Sequence, residues 1–288
     1  MNIKAFVGRF KIINWFKGII FAILGLLHSR FGVGFNWFVD NLIFGAIIYF
    51  LVVFSSMMMV LAFKRPQEKT GDILEGRDIV VLVSIVVFVL AYGIASYVVF
   101  YYERSILIII ILAVIGLILG ISLFYGIDWK YKSILTNLII GFSTTFGLIY
   151  ASFLNDVFIP TYVYFFFLGA FSLQFSKDII KSCRDVAERR EENGTYKPFA
   201  EVIRINRTQN IALAFQILTI IFLLVPFLTG VYNYFLYMFP MIIAALLVGL
   251  SIILNLIYDF EEEYKGKVFL LLRLAMFFTI VAILFAAV

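Results

Sequence analysis

The sequence predicts an all-α integral membrane protein, folded as one bundle of nine transmembrane helices. Of its 288 residues, 64% are hydrophobic and only 14% are charged, whereas a soluble domain is about half apolar and about a quarter charged. A helix needs about 20 apolar residues to cross the hydrocarbon core, and apolar runs of that length recur along the whole chain. This composition excludes a soluble enzyme.

Short polar breaks separate nine apolar runs. The first run follows several basic residues, but no small-residue cleavage site comes after it, so we expect a retained helix and not a signal peptide. Tyr101-Tyr102-Glu103-Arg104 divides the third run from the fourth, and Asn155-Asp156 divides the fifth from the sixth. Breaks this short predict antiparallel helical hairpins. The predicted spans are residues 10–27, 42–63, 79–101, 105–124, 134–154, 157–175, 211–230, 232–258 and 268–288.

The distribution of Lys and Arg predicts the orientation in the membrane. With nine spans and the N-terminus inside, 21 of the 23 basic residues fall on the inner side, and only Arg30 and Arg104 fall outside. Loops on the cytoplasmic side carry this excess of basic residues. We therefore expect a cytoplasmic N-terminus in a cell membrane (an inner or plasma membrane). The net charge of +5 is then explained by Lys and Arg residues at the cytoplasmic surface of the membrane. No nucleic-acid partner is expected.

The domain expected from this plan is a single integral membrane domain over residues 1–288, with two large charged breaks. The breaks are residues 64–78 and 176–208, after the second and the sixth predicted helices. Both lie on the cytoplasmic side by the charge count. Apart from Lys17 and Arg273 near helix ends, we expect no ionisable group within a span, which argues against a proton-coupled transporter.

The second break contains the acidic residues that are best spaced for chemistry. Asp178 and Asp185 are seven residues apart, so they share one face if the sixth helix continues past residue 175. Lys177, Lys181 and Arg190 lie near that face. Carboxylates beside cations suit a magnesium diphosphate, because magnesium takes oxygen ligands and basic side chains hold phosphate. The alternative from the charge pattern is a solvated helix with surface salt bridges.

The segment from Gln174 through Lys177-Asp178-Ile179, Arg184-Asp185 and Arg190 to Asn193-Gly194-Thr195 resembles the second aspartate-rich segment of the UbiA-type intramembrane prenyltransferases. The nine-helix plan with an inner N-terminus is similar to that of the family. Two departures matter. Ser182 and Arg189 stand where the family has Asp, and the family's first motif is missing, since residues 48–66 contain no Asp, Glu or Asn.

The resemblance implies a UbiA-like bundle that transfers a polyprenyl group from a prenyl diphosphate to an aromatic or lipid acceptor. It implies that Asp185 and Asp178 hold magnesium and are the catalytic acidic residues. The diphosphate would contact Lys177, Lys181, Arg65, Lys69 and Arg190. Asn137 and Gln174 would be polar groups of the cavity, although interhelical hydrogen bonding explains such residues as well.

Without the first motif, one of the two metal sites implied by the resemblance has no ligands. We therefore predict a prenyltransferase with a degenerate metal site and weak magnesium-dependent activity. A divergent, non-catalytic member that binds prenyl lipid or a partner protein is the main alternative. A transporter of small solutes or lipids is a third.

Overall fold

The structure is a computed structural model that describes residues 12–30, 33–64, 71–101, 108–110, 129–155, 159–188, 205–228, 235–257 and 262–287. The described elements are all helices, so the predicted all-α class is confirmed. They are α1 (Ile12–His28), α2 (Phe35–Lys64), α3 (Gly71–Tyr101), α4 (Trp129–Thr145), α5 (Gly147–Leu154), α6 (Thr161–Glu188), α7 (Ile205–Leu228), α8 (Phe235–Ile257) and α9 (Glu262–Ala287).

The helices agree with the predicted spans. In the described part of the chain, seven segments are long and apolar enough to cross a membrane, and Phe16–His28 is a shorter apolar helix. The predicted span 134–154 comprises α4 and α5, which are separated at Phe146. The predicted span 105–124 lies outside the described residues except for 108–110, which are helical.

Helices extend into both of the predicted charged breaks. Helix α3 already begins at Gly71, inside the break 64–78, and α6 continues to Glu188, inside the break 176–208. Lys, Arg and Glu are good helix formers, so a fall in hydropathy does not end a helix. The sixth helix therefore extends past residue 175, as the shared face of Asp178 and Asp185 required.

The chain forms two compact units, and the single integral membrane domain expected over residues 1–288 stays a prediction. Unit one is residues 1–126 and 142–160, and unit two is residues 127–141 and 161–288. Chains approaching 250–300 residues commonly divide in this way, because a single core stops growing at about that size.

Unit one is held together by a close crossing of α1 and α5. A Cβ atom on Gly25 would lie 2.3 Å from the carbonyl oxygen of Leu148, and one on Gly147 would lie 2.8 Å from the backbone nitrogen of Ala22. Small residues allow the backbones of membrane helices to approach closely and pack. Glycine is therefore required on both sides of this crossing.

A buried polar clamp joins the ends of α1 and α5 to α2. Asn155 Nδ2 donates to the carbonyl of Leu26 at 3.0 Å and to Ser29 Oγ at 2.8 Å. Asn41 Nδ2 donates to Asn155 Oδ1 at 2.8 Å and to the carbonyl of Leu154 at 3.0 Å. The clamp satisfies carbonyls in the last turns of α1 and α5, which have no partner within their own helices.

In unit two, α6 packs against α7 and α9, and α8 packs against α9 and α7. Aromatic side chains fill these contacts. The rings of Phe175 and Phe215 meet edge-on at 4.6 Å, and Tyr237 of α8 donates a 2.7 Å hydrogen bond to the carbonyl of Leu223 in α7. These contacts fix the part of α6 that carries the candidate site.

Candidate functional site

Three hydrogen-bonded side chains on α6, which we call the α6 triad, form the candidate site. Gln174 Nε2 donates to Asp178 Oδ2 at 2.8 Å, and Lys177 Nζ donates to Gln174 Oε1 at 2.5 Å. Lys177 Nζ also lies 3.9 Å from Asp178 Oδ1. One amide thus bridges an ammonium and a carboxylate, and the formal charges of the triad cancel.

The helix brings these residues together by its period. Gln174 precedes Lys177 by three positions and Asp178 by four, which are the spacings at which side chains on a helix meet. Lys177 and Asp178 are adjacent in sequence, and adjacent positions do not face each other. The amide of Gln174 and the long lysine side chain close the gap between them.

The triad is buried inside unit two. Gln174 is 0% exposed, Lys177 4% and Asp178 6%. Contacts with α7 hold α6 in place at this level, where Ser176 Oγ donates to the carbonyl of Ala212 at 3.2 Å. The solvated-helix alternative is therefore wrong for Lys177 and Asp178.

Lys177 and Asp178 lie inside a candidate membrane span, whereas the sequence predicts ionisable groups only at Lys17 and Arg273, near helix ends. The triad lies within Thr161–Cys183, a segment long and apolar enough to cross a membrane. The predicted span ends at residue 175, because the charged residues that follow lower the hydropathy. Ionisable residues within spans are rare, face the protein interior and mark functional sites.

The remaining predicted site residues lie partly beyond what the structure describes. Lys181 is half-buried on α6, one turn after the triad, and position 185 lies on the same helix one turn further on. Arg65, Lys69 and Arg190 lie outside the described residues. The triad therefore brings together Gln174, Lys177 and Asp178 from the predicted set, and the part played by the others stays a prediction.

Asn137, the other predicted polar group of the cavity, is half-buried on α4. It lies one turn before Gly141, where a Cβ atom would meet the Phe171 ring of α6 at 3.3 Å. This end of α4 therefore lies beside α6. A direct role of Asn137 at the triad stays a prediction.

Residues 48–59, the described part of the region where the first family motif would fall, are packed and include no carboxylate. Ser55 Oγ donates to the carbonyl of Ser84 in α3 at 2.8 Å, and Ser84 Oγ donates to the carbonyl of Ser55 at 2.8 Å. Ser56 Oγ donates within its own helix to Val52, and Met57, Met58 and Met59 are buried. Thioethers are poor ligands for a hard cation, so this part of α2 acts as a helix contact.

The described residues do not fit the pair of magnesium ions that the resemblance implies. Within the described part of the chain, no three His, Cys, Asp or Glu side chains are grouped for a metal. Asp178, the carboxylate whose position α6 fixes, already faces an amide and an ammonium. Magnesium prefers near-octahedral oxygen coordination, so these donors alone do not make such a site.

The structure singles out one buried polar residue of an apolar run, Gln216. Gln216 of α7 is 0% exposed, and neither its Nε2 nor its Oε1 has a hydrogen-bond partner among the described residues. It follows Ala212 by one helical turn, on the buried face of α7 that also carries Thr219 and Leu223. A Gln in an apolar run predicts interhelical hydrogen bonding, but not whether a partner is present.

Solved structures share this fold along nearly the whole chain. A structure of digeranylgeranylglyceryl phosphate synthase matches with a TM-score of 0.71 and 16% identity, covering 96% of this chain and 98% of that one. An apo structure of a UbiA homolog from Aeropyrum pernix K1 matches with a TM-score of 0.60 and 14% identity, covering 94% and 96%. No family model and no curated protein matches the sequence. The predicted UbiA-like fold is confirmed.

Proposed function

We propose that this chain, which has the fold of the UbiA-type prenyltransferases, transfers a polyprenyl group from a prenyl diphosphate to an aromatic or lipid acceptor within a membrane. The observation that carries the proposal is the charged α6 triad, buried in a span of that fold. Ionisable residues inside a span are costly and commonly mark functional sites, so this buried lysine and aspartate are the best candidates for contact with a charged headgroup.

In the proposed reaction, the bond between the prenyl C1 carbon and the diphosphate oxygen breaks, and the diphosphate leaves with the electron pair. A nucleophilic atom of the acceptor bonds to C1, and its proton passes to the departing diphosphate, which is a base. Lys177 and Lys181 offset the negative charge that develops on the departing diphosphate, which is where preorganised positive charge lowers the barrier most.

Aromatic rings on the same helix serve the apolar half of the substrate. Phe167, Phe171 and Phe175 follow one another at single-turn spacing, with ring centroids 6.2 Å and 5.9 Å apart. Ring faces attract cations and present apolar surface. This row leads along α6 to the triad, and we propose that it lines the path of the prenyl chain and shelters the allylic cation.

By the distribution of Lys and Arg, the diphosphate end of the site lies on the cytoplasmic side of a cell membrane, and the N-terminus lies on that side too. The acceptor is then either an aromatic compound or a lipid with a nucleophilic headgroup. Magnesium stays a prediction, because the described donors do not fit it, and no step above depends on it.

A second candidate is supported by the closed triad and by the packed serine and methionine residues of α2. If the site lacks the charge needed to stabilise the leaving diphosphate, the same fold binds prenyl lipid without turning it over. Loss of one stabilising interaction of this kind costs about 3–4 kcal/mol, or about 100- to 1,000-fold in rate. The first candidate therefore predicts a slow reaction, and the second predicts binding without product.

The test is turnover of labelled geranylgeranyl diphosphate by the purified protein, with a panel of aromatic and lipid acceptors, in magnesium and in chelator. We compare wild type with Lys181→Met, Asp185→Ala and, as a control on the exposed face of α7, Asn210→Leu. Product that is lost in the first two variants and kept in the third supports the enzyme. Tight binding without product supports the non-catalytic protein, and neither binding nor product overturns both.

A further inference from the structure

The charge balance of the α6 triad points to a role for Lys177 that the family resemblance does not include. Asp178 is 6% exposed and lies in an apolar span, where an uncompensated carboxylate costs several kcal/mol. In this structure its countercharge comes from within the chain. Lys177 Nζ lies 3.9 Å from Oδ1, and the amide of Gln174 donates to Oδ2.

This arrangement competes directly with a divalent cation. Magnesium binds oxygen at about 2.0–2.1 Å and holds its remaining waters in a near-octahedron. An ammonium 3.9 Å from one carboxylate oxygen repels such an ion, and the hydrogen bond from Gln174 directs the other oxygen into the helix. A metal at Asp178 would have to displace both partners.

We propose that Lys177 is a built-in replacement for a divalent cation at Asp178, which makes the hold of this site on a diphosphate headgroup independent of metal. The second half of this statement rests on the proposed function, and the first half does not. The lysine supplies one positive charge beside Asp178. A diphosphate bound beside the triad then meets a carboxylate whose charge is already offset, so no metal is needed between Asp178 and the phosphate oxygens.

The first experiment tests the counter-ion without any substrate. Thermal unfolding is measured in detergent with chelator, magnesium or manganese, for wild type, Lys177→Met and the charge-neutral double variant Lys177→Met/Asp178→Asn. Lys267→Met, which removes an exposed lysine of the same unit, is the matched control.

We expect Lys177→Met to be destabilised in chelator and to gain a metal-dependent rise of several degrees in Tm, because a ligand that binds only the folded state stabilises it. The double variant should lose this gain. Wild type and Lys267→Met should respond to metal no more than the double variant does. Two results would overturn the proposal. One is a metal-dependent rise in the Tm of wild type that the double variant lacks. The other is a rise in the Tm of Lys177→Met that is no greater than that of the double variant.

If Lys177→Met does not fold, the comparison of wild type with the double variant still decides. A greater metal response in wild type assigns metal to Asp178 and overturns the proposal. Equal responses support it, and Lys177→Arg, which keeps a cation, should behave as wild type does.

The second experiment measures the Kd of geranylgeranyl diphosphate for wild type in chelator and in magnesium. Equal affinity in both conditions, with weaker binding by the double variant, supports metal-independent binding. Binding that requires magnesium overturns it. If geranylgeranyl diphosphate binds in neither condition, the proposed function is overturned. The counter-ion role of Lys177 is then decided by the Tm comparison alone.

Discussion

Two fully buried glutamines on neighbouring helices provide a paired test of the energetics of unit two. Gln174 and Gln216 are both 0% exposed. The amide of Gln174 makes two hydrogen bonds to charged groups, whereas neither polar atom of Gln216 has a partner among the described residues. Substitution by methionine preserves the volume approximately and removes the amide. The same change should therefore have opposite effects at the two positions.

The magnitudes follow from the number of hydrogen bonds. An unsatisfied buried polar atom costs about 1–3 kcal/mol, and a buried water that reaches one atom reduces the total, so Gln216→Met should stabilise by about 1–3 kcal/mol. Gln174→Met removes two bonds to charged groups, worth about 1.5–3 kcal/mol each in soluble proteins and less in membranes. It should destabilise by about 2 kcal/mol or more.

The chain contains its own reporter for the assay. Cys183 is the single cysteine in the sequence and is 0% exposed, so a thiol-reactive dye reports the unfolding of α6 in detergent. One kcal/mol shifts Tm by about 2–4 °C in proteins of 150–250 residues. Gln216→Met should therefore melt about 2–12 °C above wild type, and Gln174→Met at least about 4 °C below it.

A fall in Tm for Gln216→Met as large as that for Gln174→Met would refute this reasoning, because it would mean that the Gln216 amide is satisfied in the folded protein. A higher Tm accompanied by lost prenyl diphosphate binding would instead indicate that the amide is retained for a ligand at the expense of stability.

Three further predictions concern the rest of the chain. Gly25→Ala places a methyl group against the facing carbonyl oxygen of α5, so we expect overpacking to lower stability by about 1–3 kcal/mol, measured as a fall in Tm; an unchanged Tm would contradict the close crossing. Asn155→Ala removes three clamp hydrogen bonds and should lower stability by about 2 kcal/mol. The control Asn210→Ala, on an exposed face, should change stability by less than about 0.5 kcal/mol. Equal effects of the two substitutions would refute the clamp. Reporter fusions at Gly194 and Gly230 should indicate opposite sides of the membrane, because 21 of 23 basic residues fall on one side, and the same side for both would overturn the orientation.

Sequence reasoning predicted the helices because a bilayer imposes a strong length requirement on apolar segments. It misplaced the end of the sixth span, since hydropathy falls at Lys177 whether the charge faces water or a partner inside the bundle. It also treated residues 134–154 as uninterrupted. The interruption at Phe146 precedes Gly147, whose close approach to α1 depends on contacts distant in sequence.

The residues of the candidate site could be named from the sequence, but their contacts with one another could not. Helical periodicity placed Asp178 and Asp185 on one face, and Gln174 was expected to be a polar group of a cavity. The pairing of Lys177 with Asp178 could not be predicted, because neighbours in sequence point to different sides of a helix and a third residue bridges them. Which buried amides find partners depends likewise on how α6 and α7 pack.

The division of α4 between the two units bears on the order in which the protein is made. Residues 127–141 belong to unit two, but residues 142–160, which come after them, belong to unit one. A ribosome therefore delivers the first piece of unit two before unit one is complete. Truncation after residue 160 leaves that piece without its partner helices, and truncation before 127 leaves unit one without α5. No single cut in the chain yields two whole units, so residues 127–141 can pack with the rest of unit two only after the second half of the chain has been made.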